Sequence, residues 1–146
     1  LFFKKETNLF QSNLINKLVD IYKKKRIETR ICLHRSKQSN MQVMINLIIL
    51  KKKYQLHFHK FSSEYYIPLR GKLRLIIFNK KGKYIKYLDV DKKKGIIGKI
   101  IKGQVHVAIP KSKFCVYLEF RAGNFNRHKN IFLDKFITVQ DAMSLK

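Results

Sequence analysis

Nine short runs rich in Ile, Leu, Val, Tyr and Phe follow one another along most of the chain, and polar or glycine-bearing breaks separate them. β-Branched and aromatic residues favour strands, and short strands at this close spacing are typical of a β-barrel or sandwich. The predicted strands cover residues 30–34, 41–50, 54–59, 64–69, 72–79, 83–89, 97–101, 104–109 and 114–121. The segment Asn79-Lys80-Lys81-Gly82 predicts a hairpin turn, because glycine tolerates the positive φ that such a turn needs. We therefore expect an all-β domain.

The segment before these strands has a helical periodicity. From about residue 7 to 26, apolar side chains recur at spacings of one, three and four, which predicts an amphipathic helix with Asn8 or Ser12 as its cap. A chain of 146 residues is the size of one domain. The expected organisation is an N-terminal helical segment packed on a barrel, followed by a tail, with the bounds 1–28, 29–135 and 136–146. The sequence starts with Leu1 rather than Met, which leaves open a short leader before it.

The formal net charge is +24, from 33 Lys and Arg residues against 9 Asp and Glu residues. Such a surface attracts phosphates and suggests a nucleic-acid partner. Lys far outnumbers Arg, however, and Ile, Asn, Phe and Lys are abundant throughout, a pattern that an A+T-rich coding bias produces in any protein. Because the basic residues are spread over every segment, we rank nucleic-acid binding last.

Cysteine usage and hydropathy favour a cytoplasmic protein with no membrane partner. Cys32 and Cys115 are too few for a disulfide framework and lack the C-x-x-C spacing of zinc or redox sites, so we expect reduced, buried thiols. The first ten residues carry charges too early for the apolar core of a signal peptide. No apolar run reaches the roughly 20 residues that span a bilayer.

The stretch YQLHFHKFSSEYYIPLRG, residues 54–71, combines side chains that bind metals. Positions i and i+2 of a strand point to the same face, so His57 and His59 converge on one side of the sheet. Glu64 follows a short break and can bring a carboxylate to the same point from the next strand, and His106 is a fourth candidate. Imidazoles mixed with one carboxylate suit Zn, Fe, Mn or Ni. We therefore predict one divalent metal ion held by His57, His59, Glu64 and His106.

An isolated H-x-H pair is usually not a metal site, but the spacing here is more specific. The pattern H-x-H-x4-E-x6-G of the first cupin motif matches every defined position from His57 to Gly71. The second motif, G-x5-P-x-G-x2-H, matches at Gly95, Gly103 and His106. The chain thus resembles the cupins. The resemblance implies a small double-stranded β-helix, the cupin or jelly-roll barrel, with a bound divalent metal ion.

A finer resemblance is to the WbuC-type cupin metalloproteins that accompany surface-polysaccharide and lipopolysaccharide gene clusters, and it extends over about residues 26–135. It is carried by a lead-in before the first motif and by a closing strand and glycine turn after the second. The matching residues are Arg30, Leu33, His34, Gln42, Met44, Ser112, Leu118, Glu119, Gly123 and Phe125. This resemblance implies a role in sugar metabolism with a small-molecule carbohydrate ligand. Cupins commonly pair through their sheets, so a homodimer is a family-based expectation.

Four residues depart from the cupin pattern or from a regular strand. Lys51 replaces the glycine that often opens the first motif, Ile101 replaces the usual proline, and Pro110 stands where the general pattern has asparagine. None of these changes removes a ligand. Pro68 lies inside a predicted strand, where its missing N–H costs a ladder hydrogen bond, so we expect a local irregularity there.

Several further side chains are candidates for contacting a substrate. His34 falls in the lead-in of the WbuC-type resemblance, and Tyr66 is placed two residues after Glu64, on the same face of its strand. Arg70 and Arg74 could hold a phosphate or carboxylate through a bidentate pair, although solvation at the surface is the simpler interpretation.

Glu119 is the last candidate, and its role depends on the direction of its side chain. If Glu119 faces inward, it is a buried carboxylate that needs a partner, and the free N–H of a histidine ligand would serve. If it faces outward, it is an ordinary surface residue. His128 lies outside both motifs and is assigned no role.

Two functions fit these features. The first is a metal-dependent enzyme acting on a sugar or sugar nucleotide, with the cation as Lewis acid and with isomerisation, epimerisation or oxygen-dependent cleavage as the reaction. The second is a non-catalytic cupin module or sensor that binds a metabolite in the same barrel. No separate general base is identifiable from the sequence, so the catalytic residues are left unassigned.

Overall fold

The computed structural model describes residues 13–124 and 130–145, which form ten strands and two α-helices. The strands are β1 (Thr29–Cys32), β2 (Met41–Ile49), β3 (Lys53–His59), β4 (Glu64–Arg70), β5 (Lys72–Phe78), β6 (Tyr84–Asp91), β7 (Gly98–Ile100), β8 (Val105–Pro110), β9 (Phe114–Ala122) and β10 (Asn130–Thr138). The helices are α1 (Asn13–Lys25) and α2 (Val139–Ser144), and a short 3-10 helix (Lys92–Lys94) precedes β7. The strands make two antiparallel sheets, ordered β1-β2-β9-β4-β7 and β10-β3-β8-β5-β6.

The strand pairing is nested around one hairpin. β5 pairs with β6, and the flanking strands pair outward from it, β4 with β7, β3 with β8 and β2 with β9. One long hairpin rolled over on itself in this way is a double-stranded β-helix, or jelly roll, so the predicted fold class is confirmed. The nesting makes neighbours of residues that are distant in sequence. His57 of β3 and His106 of β8 are directly opposite each other.

The turn at the centre of this hairpin is the one predicted from the sequence. The Asn79 backbone N–H donates to the Lys83 carbonyl at 2.9 Å, and the Gly82 N–H donates to the Asn79 carbonyl at 2.9 Å. The Asn79 side-chain oxygen also accepts from the N–H groups of Lys81 and Lys83. Gly82 has φ +77°, a conformation that costs glycine little and other residues much.

Helix α1 covers the outer face of the first sheet. Its buried residues Leu14, Leu18, Val19 and Tyr22 pack in one apolar cluster with sheet residues that include Ile45 and Val116. The described part of the predicted helix over residues 7–26 is therefore confirmed, whereas its start, with the proposed caps Asn8 and Ser12, lies outside the described residues. Within the described ranges, neither α1 nor α2 is long and apolar enough to cross a bilayer.

Nine strands lie where the sequence predicts them, and β10 and α2 were missed. β10 is an edge strand whose side chains are mostly exposed or half-buried, and its pairing with β3 shifts register between Phe132 and Phe136. The shift interrupts the apolar alternation that marks a strand, which explains the omission. The sheet continues to Thr138, which pairs with Lys53, so it extends past residue 135, where we expected the barrel to end.

Pro68 disturbs β4 as expected. The pairing of β4 with β9 shifts register between Pro68 and Arg70. On the side of β4 that faces β7, pairing covers only Glu64 to Tyr66. Pro68 therefore has no neighbouring strand on that side to which its missing N–H would donate. The irregularity thus lies beyond the part of β4 that carries Glu64.

Arg74 is buried, so the interpretation that it is solvated at the surface is wrong. Its Nε and Nη2 atoms donate to the two carboxylate oxygens of Asp89 at 2.7 and 3.0 Å, and Nη1 donates to the Ala142 carbonyl at 3.0 Å. The guanidinium also lies 3.9 Å from the centre of the Tyr87 ring. Arg74 therefore holds helix α2, which follows β10, against the outer face of the second sheet.

Leu18→Ala tests the packing of α1 on the first sheet. Leu18 is fully buried, and its truncation removes apolar contacts and leaves a cavity. We expect urea denaturation to show a loss of about 2–5 kcal/mol in the free energy of unfolding. The matched control is Lys17→Ala on the exposed face of the same helix, for which we expect a change within about 0.5 kcal/mol. Equal effects of the two changes would contradict the packing described here.

Candidate metal centre

A cavity of about 890 Å³ lies between the two sheets. Lys53, Gln55, His57 and His59 of β3 line it, because the strand turns Leu56 and Phe58 toward the apolar core on its other face. Tyr54 belongs to that core and also borders the cavity. The opposite wall comes from β2, β4 and β9. The cavity is within the range typical of small-molecule sites.

Three histidines come together at this cavity, and two of them, His57 and His59, line it. His57 and His59 come from β3 and His106 from β8, and their ring centres are 4.4–5.5 Å apart. Each ring offers a nitrogen within 4.8 Å of the nitrogens of the other two. His59 and His106 are buried, whereas His57 is half-buried and borders the open part of the cavity.

The outer nitrogen of each ring faces an oxygen. His106 Nδ1 lies 2.9 Å from the Gln104 carbonyl, and His57 Nδ1 lies 3.5 Å from the Gln55 carbonyl. His59 Nδ1 lies 2.7 Å from the Asn130 side-chain oxygen and 3.1 Å from Arg121 Nη1. For His57 and His106, a carbonyl oxygen at this position favours the tautomer with its proton on Nδ1, which leaves the lone pair of Nε2 available. This is the arrangement that orients histidine ligands in metalloproteins. For His59, the Arg121 contact favours a lone pair on Nδ1, whereas Asn130 is compatible with either tautomer through its amide.

Glu64, the first residue of β4, faces the histidines from the opposite wall and is only 2% exposed. Its carboxylate oxygens lie 3.0 Å from His59 Nε2 and 3.2 Å from His106 Nε2. The Tyr66 hydroxyl donates to Glu64 at 2.6 Å, and Arg121 Nη1 donates to it at 3.2 Å. Glu64 is thus a buried carboxylate whose negative charge is stabilised by these contacts, and it lies beside the histidine rings.

His59 Nε2 provides a test of whether a cation fits between these groups. Among the described residues, this nitrogen is buried and makes no hydrogen bond, although a Glu64 oxygen lies 3.0 Å away. Two electron-rich atoms at such a distance repel each other unless a proton or a metal ion lies near both. The three-histidine set therefore suits a divalent cation, with Glu64 next to it.

The pKa values of these groups reflect their burial and their contacts. Burial, and then the neighbouring rings of His106 and His59, lower the pKa of His57 to about 3. Burial also disfavours charged His59, but the close contact with Glu64 and the charge of that carboxylate outweigh it and raise the His59 pKa. Burial opposes ionisation of Glu64, yet contacts with His106 and His59 keep its pKa well below the usual value. A proton therefore competes for this site mainly at His59.

A second polar group lines the wall opposite the histidines. Glu119 faces the cavity, as one of its two predicted orientations required. Its partner is Asn46, whose side-chain nitrogen donates to Oε2 at 2.9 Å, so the expected partnership with a histidine ligand is wrong. Burial, and then the charge of Glu64, raise the pKa of Glu119 to about 7. Burial likewise keeps the pKa of Tyr66 well above 10, so its hydroxyl stays protonated.

Two of the predicted substrate contacts lie away from this cavity. His34 Nδ1 accepts from the Val43 backbone N–H at 3.1 Å, and its ring holds the loop after β1 against β2. Arg70 is exposed at the end of β4, with its guanidinium 5.7 Å from the centre of the Phe114 ring. Neither residue is among those that line the cavity, whereas Tyr66 and Glu119 are. His128 and Phe125 lie outside the described residues.

Sequence reasoning missed several residues that contact the predicted ligands. Arg121 lies two positions after Glu119, so the alternation of β9 was a sufficient signal to place it on the same wall. Asn130 and Phe132 belong to the missed strand β10, and Phe132 stacks on His57 with ring centres 5.5 Å apart. No motif marks these two residues, because their position depends on the pairing of β10 with β3.

Solved structures of the cupin fold are similar to this chain. CapF in complex with 3-isopropenyl-tropolone has a TM-score of 0.61 at 16% identity, and the match covers 73% of this chain and 32% of CapF. Oxalate decarboxylase from Bacillus subtilis has a TM-score of 0.53 at 20% identity, covering 66% of this chain and 24% of that one. The formate complex of the Lactobacillus farciminis enzyme has a TM-score of 0.52 at 19% identity, covering 65% and 27%.

These matches establish the cupin fold, and the chain spans only about a quarter to a third of the length of each of these proteins. The Bacillus subtilis enzyme contains Mn(II) centres. No curated protein matches the sequence. A family model described as "Domain of unknown function (DUF6016)" matches residues 10–90, which include His57, His59 and Glu64 and make up more than half of the chain. The chain is therefore a cupin-fold member of the DUF6016 family.

Proposed function

We propose that this protein is a metal-dependent cupin that acts on a sugar or sugar nucleotide in surface-polysaccharide or lipopolysaccharide biosynthesis. The observation that carries the metal site is the convergence of three imidazoles, whose ligand nitrogens lie within 4.8 Å of one another, with Glu64 beside the Nε2 atoms of His59 and His106. The sugar-related role rests on the resemblance to WbuC-type cupins. His57, His59 and His106 are the proposed ligands, with Glu64 as the fourth.

The donor set suits Mn, Fe, Ni or Zn, and the Mn(II) centres of a protein with the same fold support a divalent ion. When bound, such an ion supplies Lewis-acid chemistry, polarising a carbonyl or hydroxyl group of the ligand. Asn130 and the Gln104 carbonyl would fix the orientation of the rings through their Nδ1 atoms. Arg121 would hold Glu64 in place through its hydrogen bond.

Glu119 is the residue that we propose transfers a proton. It lines the cavity opposite the histidines, and its pKa of about 7 allows it to gain or lose a proton near neutral pH. Tyr66 acts instead as a fixed hydrogen-bond donor to Glu64, because its hydroxyl stays protonated. A carboxyl group of this kind in the cavity favours isomerisation or epimerisation over oxygen-dependent cleavage.

The wider organisation belongs to the same proposal. We propose one domain, with the helical segment 1–28 packed on a barrel that starts at residue 29, in a cytoplasmic protein. The homodimer and the alternative role as a non-catalytic binding module or sensor stay predictions. Turnover of a sugar nucleotide by the wild type but not by His57→Ala would separate an enzyme from a sensor.

Metal content tests the site directly. We expect elemental analysis by mass spectrometry to find close to one divalent ion per chain in the wild type and less than about a tenth of that after the double change His57→Ala and His106→Ala. The matched control is His34→Gln, which changes a histidine outside the cavity and is expected to keep the metal. A wild type that stays metal-free after reconstitution with each candidate ion, or a double variant that keeps its metal, would refute the site.

Metal affinity should also fall as the pH is lowered. His57, with its pKa near 3, stays neutral, whereas the raised pKa of His59 means that a proton occupies this ligand at a higher pH than in a free histidine. Below that pKa, we expect the apparent metal affinity to decrease about tenfold per pH unit, because one proton must leave for each ion bound. Titrations of the apo protein with Mn²⁺ between pH 8 and pH 5 would measure this. An affinity independent of pH over this range would argue against His59 as a ligand.

A further inference from the structure

The cavity extends well beyond the histidines along strand β3. Lys53, Gln55, His57 and His59 alternate along β3 and all line the cavity. Strand β10 runs antiparallel to β3 and places Phe132 opposite His57, and Phe136 opposite Gln55. From the metal centre outward, the wall therefore presents the ring of Phe132, the ring of Phe136 and the ammonium group of Lys53.

This wall gives an approximate distance between its two ends. The Lys53 ammonium lies 4.7 Å from the centre of the Phe136 ring. Residues 53 and 55 are four and two positions from His57, and strand residues rise about 3.3 Å each, so the ammonium is about 7–13 Å from His57 along the strand. A ligand that reaches both ends must be extended.

Two cations at the outer end of the cavity make no direct ion pair, although Glu28 and Glu119 also line the cavity and Arg30 interacts electrostatically with Glu119. Lys53 on one wall and Arg30 on the other both line the cavity. Among residues 13–124 and 130–145, neither side chain makes an ion pair, whereas the nearby Lys51 is paired with Glu28. Two cations on facing walls suit an anionic group between them, and Arg and Lys are the residues that bind phosphoryl oxygens best.

The aromatic residues between the two ends are largely exposed, although one face of Phe132 stacks on His57 and Lys53 lies over Phe136. Phe132 is 59% exposed and Phe136 is 49% exposed, although both line a cavity inside the barrel. Large apolar rings held open to water in this way are typical of surfaces that contact a ligand. They can stack on the flat face of a nucleobase or on the C–H face of a sugar ring.

We propose that the outer end of the cavity is a phosphate-binding subsite, where Lys53 and Arg30 bind the phosphoryl group of an extended ligand that stacks on Phe132 and Phe136 and reaches the histidines. The subsite rests on the proposed function for the identity of the inner end and deepens it. The ligand class is a phosphorylated sugar or a nucleoside diphosphate derivative. The basic surface as a whole does not explain the subsite, because the proposal depends on two specific cations beside two specific rings.

Calorimetric titration of the purified protein with glucose 6-phosphate, uridine diphosphate and glucose tests this subsite. We expect the two phosphate probes to bind at least about tenfold more tightly than glucose, and Lys53→Met to weaken them about tenfold, since a charge-assisted contact is lost. The matched control is Lys52→Met, which removes the same charge from an exposed neighbouring residue outside the cavity and is expected to change affinity less than twofold. Equal losses in the two variants, or no loss in Lys53→Met, would overturn the proposal.

Phe136→Leu distinguishes the two sources of phosphate. If the ring stacks on a nucleobase, only uridine diphosphate loses affinity, by about tenfold. If it stacks on a sugar, glucose 6-phosphate loses affinity instead. Either result supports a ligand lying along β10, whereas unchanged affinity for both probes would remove Phe136 from the subsite and overturn the proposal as stated.

The metal site and the phosphate subsite can fail separately. Elemental analysis of the same samples should give unchanged metal content for Lys53→Met and Phe136→Leu. The double variant of His57 and His106 should still bind glucose 6-phosphate within a few-fold of the wild type. If the double variant loses phosphate binding but Lys53→Met keeps it, the phosphate binds to the metal ion and the subsite is overturned. If the wild type is metal-free but still binds phosphate, only the proposed function is refuted.

Discussion

The buried charge of Glu64 is the constraint around which the inside of this barrel is organised. A carboxylate that is 2% exposed loses its hydration, which costs several kcal/mol unless charges and hydrogen bonds replace the water. Arg121 and Tyr66 each donate to it, and the rings of His59 and His106 face its two oxygens. These partners come from strands β3, β4, β8 and β9 of both sheets, so the sheets must stay in register for the anion to be tolerated. The same contacts hold His59 and His106 together, and His57 joins them because it is paired with His106 across β3 and β8. The groups that compensate the charge of Glu64 are therefore also the groups that form the site.

The sequence was sufficient for the parts of this arrangement that depend on local periodicity. His57 and His59 share a face because of the strand period of two, and the spacing from His57 to Gly71 and from Gly95 to His106 matched both cupin motifs. Asn46 as the partner of Glu119 could not be predicted, because a contact between strands depends on their register. β10 was not predicted because its register shift breaks the alternation of apolar residues. Asn130 and Phe132, which lie on this strand, were therefore missed as well. Arg74 was misjudged because the sequence gives no sign that Asp89 and the carbonyls of α2 surround it.

The outer faces of the two sheets support the site from opposite sides. Helix α1 covers the first sheet with an apolar cluster, which leaves the inner face of that sheet free for polar residues. Helix α2 covers part of the second sheet and is held by Arg74, whose charge is balanced by Asp89. Because α2 follows directly on β10, this contact also fixes the strand that supplies Asn130 to His59 and Phe132 to His57. The position of two cavity-lining side chains thus depends on an ion pair on the far side of the sheet.

The nested strand order has a consequence for the time at which the centre can form. The innermost hairpin, β5 with β6, joins residues close in sequence and can close first, whereas pairing of distant strands must pay a larger loss of chain entropy. The hydrogen bond between His59 and Asn130 connects residues 71 positions apart. During synthesis, β3 leaves the ribosome long before β8, β9 and β10 do. His57 and His59 are therefore synthesised well before His106 and before the strands that complete the cavity, and metal loading belongs to a late stage of folding rather than to its beginning.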